Sequence, residues 1–196
     1  MIKFVSPLLI VLAVLIRLVP LEAASSEARE VDSPHSTMTV HVYKSGLFSA
    51  FGHNHEIQAP IESGQVKEAE RDSTVVLRVD ARKLKVLDPD DAKSRPQVQE
   101  TMLGAQVLDV NRFPEIRFQS TSIEPKGQEH WMVHGKLALH GVEHLISFEV
   151  TRKDDRYRGS ATLKQTDFGM TPVTIAGGTV KVKDEVKVEF EIALMK

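Results

Sequence analysis

The 196-residue sequence has no cysteine. That absence excludes disulfides, thiolate metal sites and a cysteine nucleophile together. An excess of charge of either sign is also missing: 25 Lys+Arg stand against 27 Asp+Glu, a formal net charge of −2. A protein that binds nucleic acid by displacing counterions needs a basic face, so that class is excluded. Catalytic signatures are absent as well. There is no Gly-x-Ser-x-Gly turn, no glycine-rich phosphate loop ahead of a helix and no His-Glu-x-x-His helix. Asp and Glu are scattered along outward parities as solvated charge, so the chain is not expected to be an enzyme or to carry a cofactor. What remains, 41% hydrophobic and 27% charged residues, is the composition of a globular protein.

The N-terminus differs from the rest. Lys3 supplies a positive start, Pro7 to Ile16 is almost wholly apolar, and Ala23-Ala24-Ser25 offers small residues for a peptidase. This order predicts a cleaved secretory signal over residues 1–24 and a soluble protein in the periplasm or outside the cell. The alternative is an N-terminal anchor, but Arg17 ends the apolar run short of the ~20 residues that span a bilayer. Residues 25–36 are polar without periodicity and read as a flexible leader. The folded domain is expected over 37–196.

From there, period-two alternation dominates. Met38, Val40 and Val42 share one parity, as do Val75, Leu77 and Val79, and then Ile116 and Phe118. Trp131, Val133, Leu137 and Leu139 follow, then Ile146, Phe148 and Val150, then Tyr157, Gly159, Ala161 and Leu163. Val186 to Leu194 closes the series. Turns are expected at Glu62-Ser63-Gly64, Pro125-Lys126-Gly127, Lys153-Asp154-Asp155 and Lys183-Asp184. One wet face and one dry face indicate antiparallel strands. A single open sheet of this size would leave an apolar face bare, so it must close into a barrel or split into a sandwich. Lys93 to Leu108 reads as one helix, with Ser94 as cap, Pro96 in the first turn and Val98, Met102 and Ala105 on one face.

Six of the eight histidines come in spaced pairs: His53 with His55, His130 with His134, and His140 with His144. On a strand His53 and His55 would share a face and, with Glu56, could chelate zinc or copper. Two imidazoles supply only part of a ligand set, so the metal site stands as an alternative. The other reading is exposed or hydrogen-bonded histidine on the polar parity, where His130, His134 and His140 fall. A barrel filled by its own side chains, serving as a structural or interaction module, is a further alternative.

Four segments carry a resemblance: Ser45 to His55 (Ser-Gly-Leu-Phe-Ser-Ala-Phe-Gly-His-Asn-His), Val107 to Thr121 with its Phe113-Pro114-Glu115-Ile116-Arg117-Phe118 core, Val133 to Val142 with Leu139-His140-Gly141, and Asp167-Phe168-Gly169-Met170. In order and spacing the chain resembles the YceI-like family of exported bacterial proteins, over roughly Thr37 to Lys196. Gln165-Thr166 stands where the family often has a basic residue, and Lys93-Ser94-Arg95-Pro96 where its helix begins with Arg-Asp. The resemblance implies an all-β fold: an eight-stranded antiparallel lipocalin-like barrel with one inserted helix. It also implies an apolar tunnel holding a polyisoprenoid, an isoprenoid quinone or a similar lipid.

On that basis Val40, Val42, Leu77, Val79, Ile116, Phe118, Trp131, Val133, Phe148, Val150 and Phe168 are expected to line the barrel. Phe48, Phe51 and Trp131 are expected to close or grip, since aromatics bury the most area per residue. The partner expected is one apolar lipid, with neither nucleic acid nor a stable membrane anchor, and a homodimer is left open.

Overall fold

The computed structural model describes residues 27–45, 54–69, 72–88, 92–175 and 180–196. Within them the chain forms twelve antiparallel strands and one α-helix. The strands are β1 (Ala28–Glu30), β2 (Thr37–Ser45), β3 (His55–Gln58), β4 (Ile61–Lys67), β5 (Thr74–Asp80) and β6 (Lys85–Val86) in the first half. After helix α1 (Arg95–Leu103) come β7 (Glu115–Gly127), β8 (His130–Leu139), β9 (Val142–Lys153), β10 (Arg156–Lys164), β11 (Thr174–Ile175) and β12 (Val180–Ala193).

Twelve strands stand where eight were expected, because three extended segments bend, each bend interrupting the ladder, and the two-residue β11 adds a short pairing on β12. Between β1 and β2 a 3₁₀ turn, Ser33–His35, carries Pro34 near its start. Pro60 separates β3 from β4; it has no N–H to donate, but Ala59 before it still donates to the Met38 carbonyl at 2.9 Å. Between β5 and β6 the turn Ala81–Lys83 is capped by Asp80, whose side chain accepts the Arg82 N–H. The guanidinium of Arg82 beside it lowers the Asp80 carboxyl to about 2.

The bent segments lie side by side: β1 pairs with β4, β2 with β3, β3 with β6 and β4 with β5. Pairing then runs β5–β7–β8–β9–β10–β12 and returns to β2. An isolated bridge, Val31 to Leu194, ties the first segment to the last. The sheet is thus curled into a β-barrel whose inner faces meet.

Two expected turns lie inside strands. Glu62-Ser63-Gly64 belongs to β4, where the register with β5 shifts between Ile61 and Ser63. Gly64 is there for close approach: a Cβ on it would meet Leu77 Cδ2 at 2.7 Å and Val31 Cγ2 at 2.8 Å. Lys183-Asp184 is likewise a bulge within β12, with the register shifting between Val182 and Val186. Pro125-Lys126-Gly127 ends β7 rather than forming the turn itself. Asp154-Asp155 does turn between β9 and β10, with φ of 52° and 57°, the twist that two-residue hairpins favour.

The helix is shorter than predicted. α1 runs from Arg95 to Leu103 and stops at Gly104, whose N–H reaches the carbonyls of Glu100 and Thr101. Met102 is buried and Val98 packs against the core, whereas Ala105 lies beyond the helix and is exposed. The stretch read as a leader also contributes structure: β1 pairs with β4, and Val31 is 4% exposed.

Candidate ligand-binding cavity

The inward parities converge on a cavity of about 600 Å³ inside the barrel. Ten residues predicted to line it do so: Val40 and Val42 from β2, Leu77 and Val79 from β5, Ile116 and Phe118 from β7, Trp131 and Val133 from β8, Phe148 and Val150 from β9. The opposite wall comes from Ala161 and Leu163 on β10 and from Val188, Phe190 and Ile192 on β12. Phe148 sits between two rings, tilted against Phe118 at 5.3 Å and edge-on to Phe190 at 5.6 Å. Met102 of α1, with Val107 and Leu108 after it, lines the cavity from the helix side. Phe48, Phe51 and His53 lie outside the described residues.

Phe168 is a correction. It is 1% exposed but is not among the lining residues. It is held beside the β8–β9 turn, where His140 Nδ1 donates to its carbonyl at 3.0 Å and the His144 ring meets its ring at 5.8 Å. Phe113 packs against the same turn, 4.9 Å from the His140 ring. A Cβ on Gly141 would come within 2.4 Å of Phe113. The Phe-Pro, His-Gly and Asp-Phe-Gly segments therefore meet at one end of the barrel and build its rim. Gln165, beside them, donates to the Lys183 carbonyl at 2.8 Å and lines the cavity.

The other end holds charged and hydroxyl groups that alternation does not reveal. Lys67, Glu68, Ser73 and Tyr157 line it. The Tyr157 hydroxyl donates to Glu68 Oε1. Arg29 donates to the same oxygen at 2.6 Å, and Arg152 to Oε2 at 3.2 Å. Burial, reinforced by the hydrogen bond and charge of Glu68, pushes the Tyr157 hydroxyl up to about 12. Burial acts on Glu68 in the same sense, but the bonds from Tyr157 and Arg29 and the nearby arginine charges outweigh it and lower its carboxyl. The signal in the sequence was Tyr157 itself, since a buried tyrosine hydroxyl needs a partner. Nothing local named Glu68, 89 residues away.

The described histidines take part in hydrogen bonds and ion pairs. His55 Nδ1 lies 2.6 Å from Asp88 Oδ2, and Asp88 Oδ1 accepts the Glu56 N–H at 3.0 Å. His130 pairs with Glu149 and His134 with Ser147 on the outer face, whereas His144, opposite Leu137 on the inward parity, pairs with Asp167 at the rim. His140, expected on the outer face, instead turns to Phe168. Among the described residues no group of three or more His, Asp or Glu is arranged to hold a metal ion.

Comparison with known proteins agrees with this architecture. The crystal structure of Burkholderia cenocepacia BcnA superposes with a TM-score of 0.65 at 19% identity, covering 85% of this chain and 99% of that one. A variant of the Campylobacter jejuni YceI protein gives 0.50 at 15% identity, covering 71% and 81%. These likenesses concern the fold. A UPF0312 protein of Pseudomonas putida is 32% identical over 77 residues, which is 34% of this chain and 40% of the relative. One from Pseudomonas syringae is 33% identical over 73 residues, 32% of this chain and 38% of the relative. The match thus spans about two fifths of those curated relatives. The YceI-like domain model matches residues 30–194, nearly the whole of the described barrel, and the chain belongs to that family.

Proposed function

We propose that this protein is an exported carrier that holds one long apolar ligand, a polyisoprenoid, isoprenoid quinone or similar lipid, along the axis of its barrel. The observation that carries this reading is the cavity of about 600 Å³ walled almost throughout by aliphatic and aromatic side chains. A cavity of this size, lined mainly by apolar side chains, has the character of a binding site for one small-molecule ligand. Each methylene moved from water into such a wall contributes about 0.8 kcal/mol, so a few isoprene units offset the cost of immobilising the chain. The ten predicted lining residues, Val40 to Val150, are the contacts proposed for the ligand.

The bent-strand pairing supports the lipocalin-like architecture. Followed along the chain, residues 28–45, 55–67 and 74–86 act as three strands, which with β7, β8, β9, β10 and β12 make an eight-membered ring. Eight strands enclose an interior wide enough for side chains or one slender ligand. Export rests on the N-terminal signal, residues 1–24. No helix among the described residues is long and apolar enough to cross a membrane. The reading is of a binding protein because the cavity wall among the described residues is almost wholly aliphatic and aromatic.

Native mass spectrometry of the protein purified from its own host, followed by solvent extraction, tests the proposal. A mass excess matching one apolar lipid is the expected result. Repeated recovery of an empty chain would contradict it.

A further inference from the structure

The connections β4–β5, β7–β8 and β9–β10 share one end of the antiparallel barrel, opposite the end that carries α1 and the β8–β9 turn. At that end the apolar wall stops against a cluster in which Glu68, Tyr157, Arg29, Arg152 and Ser73 have their partners, with Lys67 also lining this end. Glu68 accepts from Arg29 and Tyr157 on one oxygen and from Arg152 on the other. Arg152 donates its second nitrogen to Asp155 at 3.1 Å. Ser73 Oγ donates to the Ala69 carbonyl at 2.7 Å and accepts the Ala69 N–H at 3.0 Å. The Trp131 ring lies 6.2 Å from the Tyr157 ring, backing the cluster from β8.

A polar cluster closing an apolar cavity can do one of two things. It can receive a head group, which requires donors or acceptors left open toward the cavity. It can instead arrest a hydrocarbon tail, which requires only that the polar groups be worth more to each other than to the tail. Glu68 and Tyr157 meet the second requirement. A tail driven between them would part charge-assisted hydrogen bonds and replace them with nothing, and an orphaned polar group costs more than one methylene returns. The bridge also spans the opening, joining the chain after β4 to β10, which are not neighbours in the sheet.

We infer that the Glu68–Tyr157 bridge, clamped by Arg29 and Arg152 and backed by Trp131, is a stop that meets the ligand tail-first and limits its length. The inference rests on the carrier reading and adds a direction and a length limit to it. The polar head of the ligand then faces the opposite end, where Gln165 lines the cavity.

Trp131 is the sole tryptophan, so the test needs no label. Two fatty acids of equal length are compared, one brominated at its last carbon and the other beside the carboxyl, with binding of each measured separately by displacement of an apolar dye. The tail-brominated acid is expected to quench Trp131 and the head-brominated acid to leave it bright. The reverse pattern overturns the inference while leaving the carrier reading intact. Failure of both acids to displace the dye overturns the two together. In a homologous series, affinity should rise about fourfold per methylene and then level off. Tyr157→Phe, which keeps the ring, and Glu68→Ala should both move that plateau to longer chains. An unchanged plateau in both folded variants contradicts the stop.

Discussion

The side chain of His140 donates from Nδ1 to the carbonyl of Phe168 across 3.0 Å, tying the β8–β9 turn to the segment that follows β10. His140 itself has φ of 51°, a conformation costly for most side chains, and its ring meets Phe113 edge-on. The most distinctive motif residues of the chain are thus spent on holding three segments together. His140→Ala is expected to destabilise the protein by about 1–3 kcal/mol, through the lost hydrogen bond and ring contact at a strained backbone position. Because Phe168 does not line the cavity, ligand affinity measured well below the unfolding midpoint should change little. A large loss of affinity with intact stability would return Phe168 to the binding wall.

The Phe118 ring lies directly over Gly135. A Cβ at that glycine would come within 2.4 Å of Phe118 Cζ and 2.6 Å of the Gln119 carbonyl. Gly135→Ala must therefore displace a buried lining ring or part β7 from β8. Overpacking of this kind costs about 1–3 kcal/mol. Lipid affinity should fall with it, since Phe118 is pushed into the cavity. Thermal unfolding and dye displacement check the two effects.

Asp88 offers a separate test of stability. Its side chain is 3% exposed, it bonds both the His55 ring and the Glu56 N–H, and its backbone sits at φ of 21°. Asp88→Ala leaves the Glu56 N–H and the His55 Nδ1 without their acceptor, a loss of about 1–3 kcal/mol. The same denaturation measurement on His55→Ala should give a smaller loss, because Asp88 keeps the backbone N–H.

The Tyr157–Glu68 bridge predicts a pH dependence of definite sign. Tyr157 holds its proton to about 12 in the folded protein, against about 10 in an unfolded chain. The native state then binds more protons between those values, so stability is complete below pH 10 and declines as pH rises toward 12. Glu68 is lowered, so its contribution is present above its ordinary range and fades as acid protonates it. The unfolding midpoint of the wild type should fall more steeply from pH 10 to 12 than that of Tyr157→Phe. Parallel slopes would mean that Tyr157 keeps an ordinary hydroxyl.

The lining positions were readable because burial on a strand has a period of two, and that signal survives in one sequence without any partner information. Val133, Phe148 and Val150 were placed inward by parity alone, and the family resemblance added that the interior is a tunnel. The bends were not readable in the same way. Glu62-Ser63-Gly64 and Lys183-Asp184 have turn composition, and only the neighbouring strand decides whether such residues reverse the chain or bulge within a ladder. The strand content of residues 28–30 was hidden for the same reason: Ala28, Arg29 and Glu30 are exposed and carry no alternation, and their pairing with β4 is a long-range property. Phe168 was misplaced because an aromatic beside a glycine looks alike whether it faces a cavity or locks a rim. Glu68 was missed because its role depends on residues that only the closed barrel brings near.

The account stands on an occupied, apolar barrel axis. Its most direct test is a high-resolution crystallographic map of the protein purified from its own host without delipidation. The account predicts continuous elongated density running past Val133, Phe148 and Phe190 and ending short of the Glu68–Tyr157 bridge. Side chains collapsed across that axis, leaving no room for a chain, would contradict it.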